Sequence, residues 1–269
     1  MSNFNLLKSK AKSKKIREMC LKINHISKTS HLGSSLSISD IINILFFEII
    51  NLNKANVNSN LRDRFILSKG HACLCVYVSL YLKKIISLND LYNYGKNNSI
   101  LMAHISHKVP GIEFSTGSLG HGLPFATGKA LYAKKFNKKW HTYCLLSDGE
   151  LNEGSNWESL LFASHHKLNN LTIIIDYNKI QSFGNTNEII NLEPIEDKFK
   201  SLNLDVVRIN GHNLKSLFLS IKKNSKTKPK IIIADTIKGY GVKFIENKLE
   251  WHYKSLSSEQ LHKALNILR

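Results

Sequence analysis

Asp148 and Asn178 are the first side chains in this sequence whose types and spacing suggest chemistry. Each follows a short apolar run that reads as a β-strand, 142–146 and 171–175, and they stand 30 residues apart, about one strand–helix–strand crossover. A right-handed crossover can make two such strands neighbours, and ligands in open α/β sheets bind outside the carboxyl ends of the strands. A carboxylate and an amide there, joined by a backbone carbonyl, suit Mg2+, which wants near-octahedral oxygen ligands and can also hold diphosphate oxygens. Gly149 lets backbone N–H groups approach phosphates closely, and the helix that follows presents its positive end. Taken singly, Asp-Gly is an ordinary turn signal and an Asn in a loop is commonplace, so the turn reading stays open here.

The elements that must position these residues follow from the apolar pattern. Runs at 65–67, 142–146, 171–175, 205–209 and 230–234 read as strands. Helical patterns follow Ser68-Lys69-Gly70-His71 and cover about 156–167 and 213–222, with a long loop after 175 and loop-like chain over 103–122. Strands alternating with helices predict an α/β fold: a doubly wound, mainly parallel sheet with helices on both faces. Ahead of it, 6–27 reads as a helix with Ile16, Met19, Cys20, Ile23 and Ile26 on one face, and a second helix is expected from Ser39-Asp40 as its cap to residue 50. Residues 1–269 are expected to form one domain with an N-terminal helical region over about 5–50. Trp157 and Phe162 read as core packing rather than as a stacking surface for a ligand.

Composition narrows the function classes. With 42% hydrophobic residues the chain can build a sizeable core, which excludes collagen-like and disordered classes. Its longest apolar run, 41–50, is about half of what a membrane span needs and contains Asn43 and Glu48, so no membrane role is expected. Four cysteines without CxxC spacing favour reduced thiols, and together with the absence of a signal-like apolar segment they predict a cytoplasmic protein. The net charge of +18 invites a nucleic-acid reading. Only five of the 38 basic residues are Arg, however, while Asn occurs 28 times. That is the signature of an AT-rich genome rather than of a specific DNA reader, which leans on Arg. The cluster Lys8, Lys10, Lys12, Lys14, Lys15 is read as a solvated helix face, with no specific nucleic acid as partner.

The stretch Ser147-Asp148-Gly149-Glu150-Leu151-Asn152-Glu153-Gly154, followed by Asp176-Tyr177-Asn178-Lys179-Ile180, resembles the thiamine diphosphate motif, and more narrowly that of transketolases. Four further segments agree in the same order: Thr29 to Gly33, Arg62 to His71, Thr116 to Gly122, and Lys238-Gly239-Tyr240-Gly241. Ordered motifs over almost the whole chain are far more specific than any single one. The sequence departs from the family pattern at Ser147, where the first glycine of the motif stands, at Leu32 and Ser118 in place of Pro, at His121 in place of a frequent Gln, and at Lys69, where long-chain transketolases have Asn.

The resemblance implies a thiamine-diphosphate-binding domain of the diphosphate-binding type. It implies that Asp148 and Asn178 bind Mg2+ by side chain and Ile180 by its carbonyl, with Ca2+ or Mn2+ able to substitute. Gly149 and His71 would hold the diphosphate, and Gly117 and Leu119 would line the cofactor cleft. His31, His104 and His252 match histidines around the sugar, and Glu153 matches a glutamate between protomers. The activity implied is transfer of a two-carbon ketol unit from a ketose, or its phosphate, to an aldose, or its phosphate. Transketolases also need a pyrimidine-binding domain and a C-terminal domain that this sequence does not contain. The chain is therefore expected to be the N-terminal subunit of a split enzyme, inactive without a C-terminal partner, in a heterotetramer with two copies of each subunit. Rival readings are the alpha-type subunit of a 2-oxoacid dehydrogenase, a deoxyxylulose-phosphate-synthase-like enzyme, a degenerate paralogue, and a non-catalytic basic protein that binds nucleic acid.

Overall fold

In a computed structural model that describes residues 4–268, five strands form one parallel sheet: β1 Arg64–Leu67, β2 Thr142–Ser147, β3 Leu171–Tyr177, β4 Asp205–Asn210 and β5 Lys230–Asp235. Residues 1–3 and 269 of the expected domain lie outside the described residues. The spatial order is β1-β2-β3-β5-β4, with every neighbouring pair parallel. Side chains alternate between two apolar layers because the strand repeat is two residues. Leu67, Leu145, Ile174 and Ile232 enter one core, while Ile66, Leu146, Ile173, Ile175 and Ile233 enter the other.

The helices divide between these faces. They are α1 Leu6–Ser27, α2 Leu32–Ser37, α3 Ser39–Ile44, α4 Cys73–Leu82, α5 Leu88–Tyr92, α6 Gly122–Lys135, α7 Gly154–His165, α8 Thr186–Ile189, α9 Ile195–Ser201, α10 Leu214–Lys222 and α11 Ser258–Leu268. From β1 to β4 the chain moves in one direction across the sheet, and α6, α7 and α9 pack on one face through Ala130, Leu160 and Phe199. The step from β4 back to β5 reverses direction, so a right-handed crossover must place α10 on the opposite face. Its Leu217, Phe218 and Ile221 lie there, with α1, α3, α4 and α11. The doubly wound α/β expectation holds.

Three local expectations change. Ser39-Asp40 does not cap a helix running to residue 50. Both lie inside α3, whose cap position, Ile38, makes no side-chain bond, and a π-helical turn over Leu45–Ile49 ends the segment. Asp40 is taken up instead by Arg17, with which it forms a buried ion pair, and by His212 Nδ1 at 2.9 Å. The loop after β3 contains α8 and α9, and β3 itself runs two residues further than expected, placing Asp176 inside the sheet. Finally, Ile26 and Phe162 are exposed although both were expected to pack, whereas Trp157 stacks on Phe199 and donates its indole N–H to Leu151 O at 2.7 Å.

Candidate active site

At the carboxyl ends of β1, β2 and β3 lies a cavity of about 210 Å3. His31, His71, His104, Gly117, Leu119, Asp148, Gly149, Asn178, Ile180 and His252 all line it; these are all the candidate residues but one. Glu153 is the exception, exposed at the start of α7 with its Cβ close to Gly120.

Asp148 and Asn178 meet because β2 and β3 are adjacent and in register, Ser147 opposite Asp176. Asp148 accepts the backbone N–H of Lys179, the residue after Asn178, at 2.5 Å and that of Gly149 at 2.7 Å. Asn178 donates its amide N–H to Asp176 at 3.0 Å and accepts from Ile180 N at 3.1 Å. Ile180 O accepts Lys238 Nζ at 3.2 Å.

The donor chemistry fits a hard divalent cation. Burial, and then the negative charge of Asp176, push the Asp148 carboxyl up to about 6 against the opposing pull of Lys69 and two backbone N–H groups. Carboxylate, amide and carbonyl oxygens are what Mg2+ prefers. Among the described residues there is no cluster of three or more His, Cys, Asp or Glu with metal-binding geometry, so this mixed oxygen set carries the metal reading. Gly149 also fits the close approach of an anion, since a Cβ there would lie 2.9 Å from Gln181 Cγ in the cavity wall.

The histidines form one cluster drawn from four segments. His31 sits 5.2 Å from His71, 5.4 Å from His104 and 4.8 Å from His252, ring centre to ring centre. Its backbone N–H donates to His252 O at 3.0 Å, which locks the N-terminal segment to the turn Leu249–His252. His104 lies in irregular chain held by buried Tyr77, whose hydroxyl donates to His104 O at 3.1 Å and accepts from Ser106 N at 3.2 Å. His71 occupies the 3-10 turn Gly70–Ala72 directly after β1. Burial is the main cause that lowers all four imidazoles: His31 to about 4, with His104, Lys238 and Lys69 adding to it, and His252 to about 3, with Lys238 next. All four are neutral at pH 7. His31 Nδ1 is buried without a hydrogen-bond partner.

Residues 8–268 match the family described as "Transketolase, thiamine diphosphate binding domain". The chain belongs to the transketolase family. It is 39% identical to a protein of Actinobacillus succinogenes named as one of the subunits of an apulose-4-phosphate transketolase, across 96% of this chain and 95% of that one. It is 36% identical to the 6-deoxy-6-sulfo-D-fructose transketolase subunit SqwG of a Clostridium species, across 87% and 86%. The crystal structure of transketolase from Campylobacter jejuni superposes with a TM-score of 0.93 at 30% identity and covers 98% of this chain; the chain spans 43% of that longer protein.

Several residues of this transketolase-family cavity escaped sequence reasoning. Lys238 was visible as a motif residue without a role, yet it reaches the Ile180 carbonyl and His252 Nδ1 at 3.1 Å. Asp176 binds Lys69, Ser37, Asn178 and Thr236 behind the cavity. The available signal was a carboxylate inside a strand buried on both faces, which must find partners. Lys69, Ser147, Ser34, Gln181 and Ser182 complete the wall, and nothing in the sequence context of the last three sets them apart.

Proposed function

We propose that this chain is the cofactor-anchoring subunit of a two-chain transketolase, which with a separate pyrimidine-binding subunit transfers a two-carbon ketol unit from a phosphorylated ketose to an aldose. Residues 1–269 form its single thiamine-diphosphate- and Mg2+-binding domain, and two copies of each subunit make a heterotetramer with Glu153 at a contact between copies. The observation that carries the reading is the meeting of the Asp148, Asn178 and Ile180 oxygens with a four-histidine cluster in one cavity. Relatives of nearly the same length that are named as transketolase subunits support a separate partner, and one of those names specifies a sugar phosphate. The four free, buried cysteines agree with a cytoplasmic setting. No helix among the described residues is long and apolar enough to cross a membrane, and no specific nucleic acid is proposed as a partner.

In this mechanism Asp148 and Asn178 would hold Mg2+ by side chain and Ile180 by its carbonyl. Gly149 and His71 would lie against the diphosphate, and Gly117 and Leu119 would form the wall against the cofactor rings. When bound, thiamine diphosphate would supply a nucleophilic carbon, chemistry that no side chain of the cavity provides. His31, His104 and His252 surround the sugar. Because burial keeps their imidazoles neutral, His31 and His104 can accept a proton from a sugar hydroxyl at one ring nitrogen and donate from the other, while His252, whose Nδ1 accepts from Lys238, can donate from Nε2.

The test is calorimetric titration of thiamine diphosphate with and without Mg2+, followed by ketol transfer assayed with and without a pyrimidine-domain partner. Mg2+-dependent binding, and turnover only with the partner, are expected. Ketol transfer by the purified chain alone, or no thiamine diphosphate binding by the reconstituted pair, overturns the proposal.

A further inference from the structure

The segment Thr116 to Gly122 carries two residues of the cavity wall, Gly117 and Leu119, although its chain is irregular up to the start of α6. Its ends are tied to β1. Thr116 Oγ1 donates to Leu67 O at 2.5 Å, and Gly122 packs so closely on Ser68 that a Cβ there would collide with its side chain. Between these ends both backbone polar groups of Gly120 are taken, one by the turn after β2 and the other by the start of α7. Gly120 N donates to Glu150 Oε1 at 3.0 Å, and Gly120 O accepts Ser155 Oγ at 2.6 Å. Gly120 has φ +82, and a Cβ would meet Ser155 Oγ at 2.6 Å, so the clamp has room only for glycine.

Glu150 is wholly buried. The same Oε1 that holds Gly120 also accepts Ser68 Oγ at 2.5 Å. Its own backbone carbonyl is fixed by Asn156 Nδ2 at 2.6 Å, while Oε2 has no partner. A buried carboxyl oxygen that bridges a strand end and a loop ties the two together, because breaking either bond leaves a buried polar group unpaired. Glu150 stands one residue after Gly149, in the 3-10 turn Gly149–Asn152 that follows Asp148. The turn that follows Asp148 thus also carries the tie on the 116–122 segment of the cavity wall.

We infer that Glu150 is a positioning residue: through Gly120 it fixes Leu119 and Gly117 at a set distance from the Asp148 turn, and so sets the width of the cleft. Its consequence for cofactor binding rests on the function proposed above; its hold on the segment does not.

Two readouts test it in the purified chain. Amide hydrogen exchange over 116–122, measured without cofactor, should speed up roughly tenfold or more in Glu150→Ala, because a buried hydrogen bond to an acidic oxygen is lost. Glu150→Gln keeps an acceptor oxygen and should stay close to wild type. With saturating Mg2+, thiamine diphosphate should bind Glu150→Ala roughly tenfold more weakly and Glu150→Gln with little change. Wild-type exchange over 116–122 in Glu150→Ala overturns the inference, as does Glu150→Gln behaving like Glu150→Ala. Should Glu150→Ala fail to fold, Glu150→Asp takes its place. Its carboxyl, one methylene shorter, falls short of Gly120, so the same loss is expected and wild-type exchange is again the contrary result. A wild-type chain that does not bind thiamine diphosphate even when paired with its pyrimidine-domain subunit sinks the proposed function, while the exchange readout still decides the role of Glu150.

Discussion

The Lys69 ammonium lies 2.5 Å from a carboxylate oxygen of Asp176, and both side chains are wholly buried. Asp176 also accepts Ser37 Oγ, Thr236 Oγ1 and the amide N–H of Asn178. Because Asn178 gives its N–H2 group to Asp176, its amide oxygen is left for Ile180 N and for the cavity. Lys69, the position where long-chain transketolases carry Asn, is thus the counter-charge that allows a carboxylate inside β3 to orient an amide at the end of the same strand.

Removing one partner of such a pair strands a buried charge. Lys69→Met should therefore lose about 3–5 kcal/mol of stability in denaturant unfolding. The double variant Lys69→Met with Asp176→Asn, which leaves no unpaired charge, should recover much of that loss. A single variant within about 1 kcal/mol of wild type, the size of an exposed pair, would show that the pair does not organise the strand ends.

How much of this was legible in the sequence depends on whether a residue's role is set locally. Asp148 and Asn178 were readable because each ends an apolar strand and their separation matches one crossover. The long strands and α1 were readable from apolar period alone, and the structure returns α1 with the expected bounds. The pairing of Asp40 with Arg17 and the four-way grip on Asp176 were not, because each depends on contacts between segments far apart in the chain. The same holds for Lys238, whose position in a motif says nothing of the carbonyl it reaches. Segment 32–44 misled because six residues of extra helix, α2, precede the expected cap, so a residue type favoured at helix starts sits within the next helix instead.

Asp148 yields a prediction with opposite signs for stability and for metal binding. Its carboxyl, pushed up to about 6, favours the proton in the folded state. Its contribution to stability is therefore full below the unfolded value near 4 and is lost as pH rises through about 6. Mg2+ competes with that same proton. The rise in melting temperature caused by Mg2+ should be larger at pH 7.5 than at pH 5.5. Asp148→Asn should remove the difference and weaken Mg2+ by about tenfold or more, since even outer-shell partners of a metal are worth that much. Equal Mg2+ shifts at both pH values would count against Asp148 as a ligand.

The histidine cluster acts in the reverse sense. His31 and His252, held at about 4 and about 3 chiefly by burial, bind fewer protons folded than unfolded between those values and 6.5. Stability must therefore fall as pH drops from about 6.5 toward 4. Melting of the metal-free chain followed from pH 7.5 to pH 4.5 should show this loss, and His252→Asn should make the curve shallower. If the variant titrates like wild type, the neutral imidazole at His252 is not a source of acid sensitivity.

His31 allows binding and turnover to be separated. Its backbone is left-handed, with φ +69, so alanine there would add strain to the loss of the ring; asparagine tolerates this conformation far better. His31→Asn keeps the backbone N–H that donates to His252 O, and it leaves the Asp148, Asn178 and Ile180 oxygens unchanged. Thiamine diphosphate affinity in the presence of Mg2+ should therefore stay within about threefold of wild type, under 1 kcal/mol. Turnover by the complex with the pyrimidine-domain subunit should fall by about 10²–10⁴-fold, the range for loss of a proton-transfer group. The two measurements need to be made on one preparation. A variant that binds thiamine diphosphate poorly yet turns over at the wild-type rate once saturated would move His31 from the sugar side of the cavity to the cofactor side.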